Sequence, residues 1–194
     1  SGTGSSSVAS SDVAATADSD PSSFETIAAT FDVSALDLDY SKRDSDASYD
    51  ESSATRITLS ESSASVNGSG VAVDGSTVTI SSEGTYIISG ELSSGQIVVD
   101  ASDDAKVQLV LAGATVRNEN GPAIYAKNAD KCFVTLADGT QNSLSDGTDY
   151  TLEDDSDEPY ATLFCRCDLT INGTGTLSVT ANYRHGICSK DDLV

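Results

Sequence analysis

AIYAKNADKCFVTL (123–136), TLFCRCDLTI (162–171) and GICSKDDLV (186–194) repeat one pattern, and their spacing decides the fold. The shared form is small, aliphatic, any residue, small, basic, then an Asp followed by an apolar residue. Ile124, Leu163 and Ile187 fill one column, and Lys127, Arg166 and Lys190 a second. Asp130, Asp168 and Asp192 form a third, the first of them after a two-residue insertion. A fainter copy, QIVVDASDDAKVQLVL, starts at Gln96. Leu163 and Ile187 stand 24 positions apart and Ile97 and Ile124 stand 27 apart, close to one turn of a parallel β-helix. The 39 positions between Ile124 and Leu163 fit if a side loop leaves the stack there, and TDYTLEDDSDEPY (148–160) is the acidic stretch that would form it.

Stacked Ile, Leu and Val columns would bury one another between turns. The reading is therefore all-β, a right-handed parallel β-helix over 51–194, with the hand taken from the rule for parallel crossovers. A sandwich also accepts short strands, but it does not require copies of one motif at constant separation. Working back toward the N-terminus, ATRITLS, GVAVDG, STVTIS and TYIISG keep period-two alternation between Gly, Asn, Asp and Ser turns. The segment from Arg56 to Ser94 is expected to supply the first turns of the stack and the cap over its open edge. At the other end, Val194 falls where the third copy's apolar strand begins. The expectations there are a native chain that continues, or an open edge covered by self-stacking.

Residues 1–50 are rich in Ser, Ala, Asp and Gly and carry little to bury, which reads as a disordered acidic spacer. Within it, Phe24, Ile27, Ala28 and Phe31 have helical offsets and could form one or two turns. Asp44, Asp46 and Asp50 begin like a calcium loop, but the following Gly and distant Glu of an EF-hand are missing.

With 31 acidic and 10 basic residues and a net charge of -21, the chain would repel nucleic acid and anionic lipid rather than neutralise them. No apolar run reaches the roughly 18 residues of a membrane span. Catalytic signals are sparse. His185 is the single histidine and sits before Gly186 in a turn, and a carboxylate pair means little among so many acids. Cys165 and Cys167 share a face two residues apart, whereas Cys165 and Cys188 fall on opposite faces. Cys132 with Cys167 is the least awkward pairing, and buried free thiols are the preferred reading.

Two constellations point to a ligand. Asp146, Asp149, Asp154, Asp155, Asp157 and Glu158, with Glu153 among them, offer the six to eight oxygens that Ca²⁺ takes. A bridging Ca²⁺ would let an acidic protein hold an acidic sugar, and a solvated loop is the plain alternative. Lys127, Arg166 and Lys190 would form an outward ladder for uronate carboxylates, unless the neighbouring Asp column neutralises it. Tyr125 and Phe164 stand just before that ladder, followed by Cys188, and could stack on sugar faces or pack at a corner. Tyr160 and Tyr183 carry the same ambiguity.

The blocks ASYDESSATRITLS (47–60), GQIVVDASDDAKVQLVLAG (95–113), GPAIYAKNADKCFVTLADGTQNSL (121–144), DEPYATLFCRCDLTINGTGTL (157–177) and NYRHGICSKDDLV (182–194) resemble, in order, a family of bacterial surface carbohydrate-binding domains. That family is the right-handed parallel β-helix type that binds polygalacturonate and cellulose. The second repeat departs from its pattern, with Cys165-Arg166-Cys167-Asp168 where the family reads closer to Ser-Lys-Asp-Asp. The resemblance implies a secreted, lipid-anchored lipoprotein with calcium in acidic loops and no established catalytic residue. The expected function is therefore non-catalytic, calcium-assisted binding of polysaccharide at the cell surface. Two alternatives stay open: a calcium-dependent polyuronate lyase using Arg166 or Lys190 as base, and a structural filament of stacked edges.

Overall fold

The computed structural model describes residues 41–152, 154 and 156–194. The chain divides into units Ser1–Leu38 and Asp39–Val194, and the described residues belong to the second. The spacer before residue 41 and the helical turns proposed between Phe24 and Leu38 lie outside the described residues.

Among the described residues there are fourteen strands and no helix. They are β1 (Thr55–Ser60), β2 (Ser63–Asn67), β3 (Val71–Asp74), β4 (Thr77–Ile80), β5 (Gly84–Leu92), β6 (Gln96–Asp100) and β7 (Lys106–Asn118). The second half contains β8 (Ile124–Asn128), β9 (Lys131–Leu136), β10 (Gln141–Asp146), β11 (Ala161–Cys165), β12 (Asp168–Gly173), β13 (Thr176–Thr180) and β14 (His185–Ser189). An eight-stranded sheet runs β12-β9-β7-β5-β1-β2, with β10 joining β7 to β13. A six-stranded sheet runs β14-β11-β8-β6-β4-β3.

The expected right-handed parallel β-helix is corrected by this arrangement. Both sheets are mixed: β1–β2 and β3–β4 are antiparallel hairpins at their edges, and the remaining ladders are parallel. The cause is local. Glu61-Ser62 and Gly75-Ser76 leave only two residues between strands, enough to reverse the chain but far too few for a parallel crossover. Gly75, at φ 55°, takes the left-handed conformation that the second of these turns requires.

The apolar columns are nonetheless paired as the repeat implied. Val78, Ile97, Ile124, Leu163 and Ile187 are in register across the smaller sheet. Ile57, Ile88, Leu111 and Leu136 are in register across the larger one. Apart from Ile187, which is exposed, their inward faces meet in one core, where each fully buried Ile or Leu contributes about 2 kcal/mol. Cys132, Cys165 and Cys167 are free buried thiols at the end of that core, while Cys188 lies half-buried on the opposite face from Cys165. Contact with Cys132 and Cys167, together with burial, pushes the Cys165 thiol up.

The boundary expected after residue 50 falls earlier, because residues 41–50 lie along the outer face of the larger sheet. Arg43 Nη2 donates to Gln108 Oε1 at 2.9 Å, and its guanidinium stands 5.2 Å from the Phe133 ring centre. Tyr49 packs against Ile87, Val110 and Ala137. Asp44 is the anchor: its carboxylate meets Lys131 Nζ at 2.6 Å and accepts from Thr170 Oγ1 and the Ser41 amide, and its side chain is 1% exposed. Burial alone would raise this carboxyl. The bonds from Lys131, Thr170 and Ser41 outweigh it and hold Asp44 well below the usual carboxylate range.

A carboxyl lower in the folded chain than in the unfolded one stabilises above the unfolded value and loses that contribution as pH falls through the folded one. Asp44→Asn should therefore cost about 3 kcal/mol in urea unfolding at neutral pH, the penalty for leaving Lys131 half-buried and unpaired. The difference from wild type should shrink progressively below about pH 4.

Candidate functional site

The inserted stretch that follows β10 is held against the outer face of the smaller sheet. It starts at Gly147, where a Cβ would stand 1.9 Å from Glu119 O, so only glycine lets the two backbones pass. Asp146, buried at the end of β10, accepts from Tyr150 Oη at 2.7 Å and from the Asn182 amide at 2.5 Å. Burial and the hydrogen bond to Asp146 raise the Tyr150 phenol, which stays a donor at ordinary pH. The Tyr150 ring stacks on Tyr183 at 4.3 Å. Further along, the Thr151 amide donates to Asn120 O at 2.9 Å, and Tyr160 closes edge-on over Phe164 at 4.8 Å.

This cover decides the aromatic candidates. Tyr125 and Phe164 do share a column, but they are 3% and 0% exposed and contact each other edge to face. Both are packed rings, and Tyr125 also lines the groove described below. Cys188 continues the column as expected. His185, at the start of β14, stands edge-on to Tyr160 at 5.7 Å.

The basic column is present. The Arg166 amide bonds to Ala126 O and the Lys190 amide to Cys165 O, which sets Lys127 near the end of β8 and Arg166 and Lys190 just past the ends of β11 and β14. Arg166 and Lys190 draw counter-charge from the inserted loop, through Glu158. Glu158 Oε2 takes Arg166 Nε at 3.0 Å and Glu158 Oε1 takes Lys190 Nζ at 2.6 Å. Lys190 foremost, with Arg166 added against the opposing effect of burial, holds the Glu158 carboxyl below its ordinary value, and Glu158 raises Lys190 in turn. Lys127 and Arg166 also stand over the Tyr125 ring at 5.4 and 5.5 Å.

The carboxylates chosen as calcium ligands are spread among other contacts. Asp146 belongs to the Tyr150–Asn182 network, Asp157 faces Arg184 at 3.7 Å, and Glu158 bridges the two cations. Asp149 accepts from the Thr148 hydroxyl, Asp154 is exposed, and Asp155, like Glu153, lies outside the described residues. Among the described residues no group of three or more His, Cys, Asp or Glu side chains is placed to hold a metal ion.

Beside the loop runs a groove that sequence reasoning did not find. Its central depression, about 360 Å³, has Gln96, Asn118, Asn120 and Lys127 on one side and Thr151 and Pro159 on the other. Lys127 is shared with a wider depression of about 740 Å³ that reaches Arg166 and Asp154. Asn120 is shared with a third, of about 390 Å³, beside Arg117, Asp149 and Asn182. The amides are held in place: Gln96 Nε2 and Asn118 Nδ2 both donate to Pro122 O, at 3.0 and 2.8 Å, and Asn118 Oδ1 accepts from the Asn120 amide. The signal available in the sequence was the polar turn Asn118-Glu119-Asn120-Gly121-Pro122, which gave no hint of what it would face. Because Phe164 is core rather than binding surface, Phe164→Ala should cost about 3–5 kcal/mol in urea unfolding, where an exposed stacking ring would cost little.

Residues 74–194 match the family described as carbohydrate-binding domain-containing protein. A protein of that description from Acetivibrio thermocellus is 40% identical over 115 residues, 59% of this chain and 40% of the relative. A solved structure described as the polysaccharide lyase-like protein from C. thermocellum, gadolinium derivative, is 35% identical. It superposes with a TM-score of 0.69 over 72% of this chain and 57% of its own. The chain thus spans well under two thirds of either relative. It belongs to the carbohydrate-binding domain family.

Proposed function

We propose that this domain is a non-catalytic polysaccharide-binding module that seats successive sugars along the groove beside the 147–159 loop. The observation that carries the reading is that three neighbouring depressions share lining residues, Lys127 between two of them and Asn120 between two. A chain of sugars needs consecutive subsites, and fixed amides and hydroxyls suit sugar hydroxyls better than an apolar pocket would. Family membership supports the ligand class. Within that class we favour a uronan such as polygalacturonate over cellulose, because Lys127 and Arg166 flank the widest depression and guanidinium recognises carboxylate well.

At charge -21 the long-range field opposes a uronan, so affinity must come from short-range contacts, with Ca²⁺ bridging protein and sugar carboxylates. The setting we propose is the bacterial surface, reached by secretion and a lipid anchor. A second reading, a uronate lyase, is favoured by the description of the solved relative. Release of unsaturated product, followed by absorbance during binding, separates the two.

Affinity electrophoresis in polygalacturonate should show Arg166→Ala weakening binding by about 1–2 kcal/mol and Asn120→Ala by about 1 kcal/mol. Unchanged retardation in both variants would move the ligand away from this groove. Millimolar Ca²⁺ should raise the thermal midpoint and EDTA should reverse it, because an ion bound only by the folded state stabilises it. A flat response would remove calcium from the reading and leave the groove as the test of sugar binding.

A further inference from the structure

Glu158 engages two cations of the repeated basic column at once. Its two oxygens are divided between Lys190 at 2.6 Å and Arg166 at 3.0 Å, the two-point geometry that a sugar carboxylate would seek. Both cations belong to the repeated basic column, and Arg166 also lines the widest depression of the groove. Glu158 does not come from that column; the inserted loop brings it there, one residue before Pro159, which lines the central depression. Its side chain is 15% exposed, against 33% for Arg166 and 43% for Lys190. A carboxylate so far removed from water is tolerated because the two cations compensate it. An incoming carboxylate must either exchange with Glu158 or settle beside it, and two like charges within a few ångströms oppose each other strongly.

We infer that Glu158 is a built-in competitor for anionic sugars, which gain the Arg166–Lys190 pair only by displacing it. The inference rests on the functional reading above and adds to it the residue that sets selectivity between uronate and neutral sugar. Neutral sugars meet the amides of the central depression and have no need of the pair. Uronates need the exchange, so Glu158 lowers their affinity relative to neutral chains. Removing its charge should shift selectivity toward the acid while leaving Arg166 and Lys190 in place.

The test is calorimetric titration of wild type, Glu158→Gln and Glu158→Asp with hexagalacturonate and with cellohexaose at 0.15 M salt. Thermal midpoints are recorded alongside. The readout is the ratio of the two affinities. Glu158→Gln should shift it toward hexagalacturonate by about fivefold or more, a change of about 1 kcal/mol. Glu158→Asp, one methylene shorter and unable to span both cations, should shift it less but in the same direction, and it decides the matter if the Gln variant unfolds. A ratio that stays put, or moves toward cellohexaose, while wild type binds either oligomer overturns the competitor role alone. If neither oligomer binds any of the three proteins, the polysaccharide-binding reading fails and the competitor role fails with it.

Discussion

In-register parallel pairing is the constraint on which everything else depends. Once Ile124, Leu163 and Ile187 lie in one ladder, side-chain alternation leaves no freedom to their neighbours. The next residue in each copy, Tyr125, Phe164 or Cys188, must face outward, and the basic residue two positions further on must end the strand at a corner. A slip of one position would turn the aliphatic column to the outside and put Tyr125 and Phe164 into the core. The first two copies position the basic ladder by burying Ile124 and Leu163, whereas Ile187 of the third is paired in register but exposed.

Among the described residues two covers lie on the sheets, one on each outer face. Residues 41–50 lie over the larger sheet, fixed by the ion pair of Asp44 with Lys131 and by Arg43 on Gln108 and Phe133. The 147–160 stretch lies over the smaller sheet, fixed by Gly147, the Asp146 network, the Tyr150–Tyr183 stack and Glu158. Together they explain why strands such as β11 are buried along their whole length. They also place the groove, since its walls are the edge of the second cover and the turn that precedes β8.

The excess of acid is organised by the same contacts. A net charge of -21 makes every cation valuable, and several of them serve to tie down a covering segment. Lys131 holds Asp44, while Arg166 and Lys190 hold Glu158. Lys106 faces Asp130 along the larger sheet at 3.4 Å, and Arg184 reaches Asp157. The basic column thus has a structural duty, anchoring the loop, alongside the binding duty proposed for it.

What the sequence determined by itself was local and periodic: all-β character, the aliphatic columns, the alignment of Lys127, Arg166 and Lys190, and the inserted acidic loop. These follow from side-chain alternation and repeat spacing, which need no knowledge of distant contacts. The β3–β4 hairpin was within reach as well, since Asp74-Gly75 reads as a tight turn, but the repeat drew the reading toward uninterrupted parallel strands. Tertiary structure alone decided the rest. That Tyr125 and Phe164 are covered, that Glu158 meets Arg166 and Lys190, and that Asp44 is buried all depend on where non-repeating segments come to lie. Such segments carry no period, and their docking is set by pairs such as Glu158 with Arg166, 8 residues apart, and Asp44 with Thr170, 126 apart. The groove has the same origin, because a cavity is a relation between two surfaces and neither surface announces it alone.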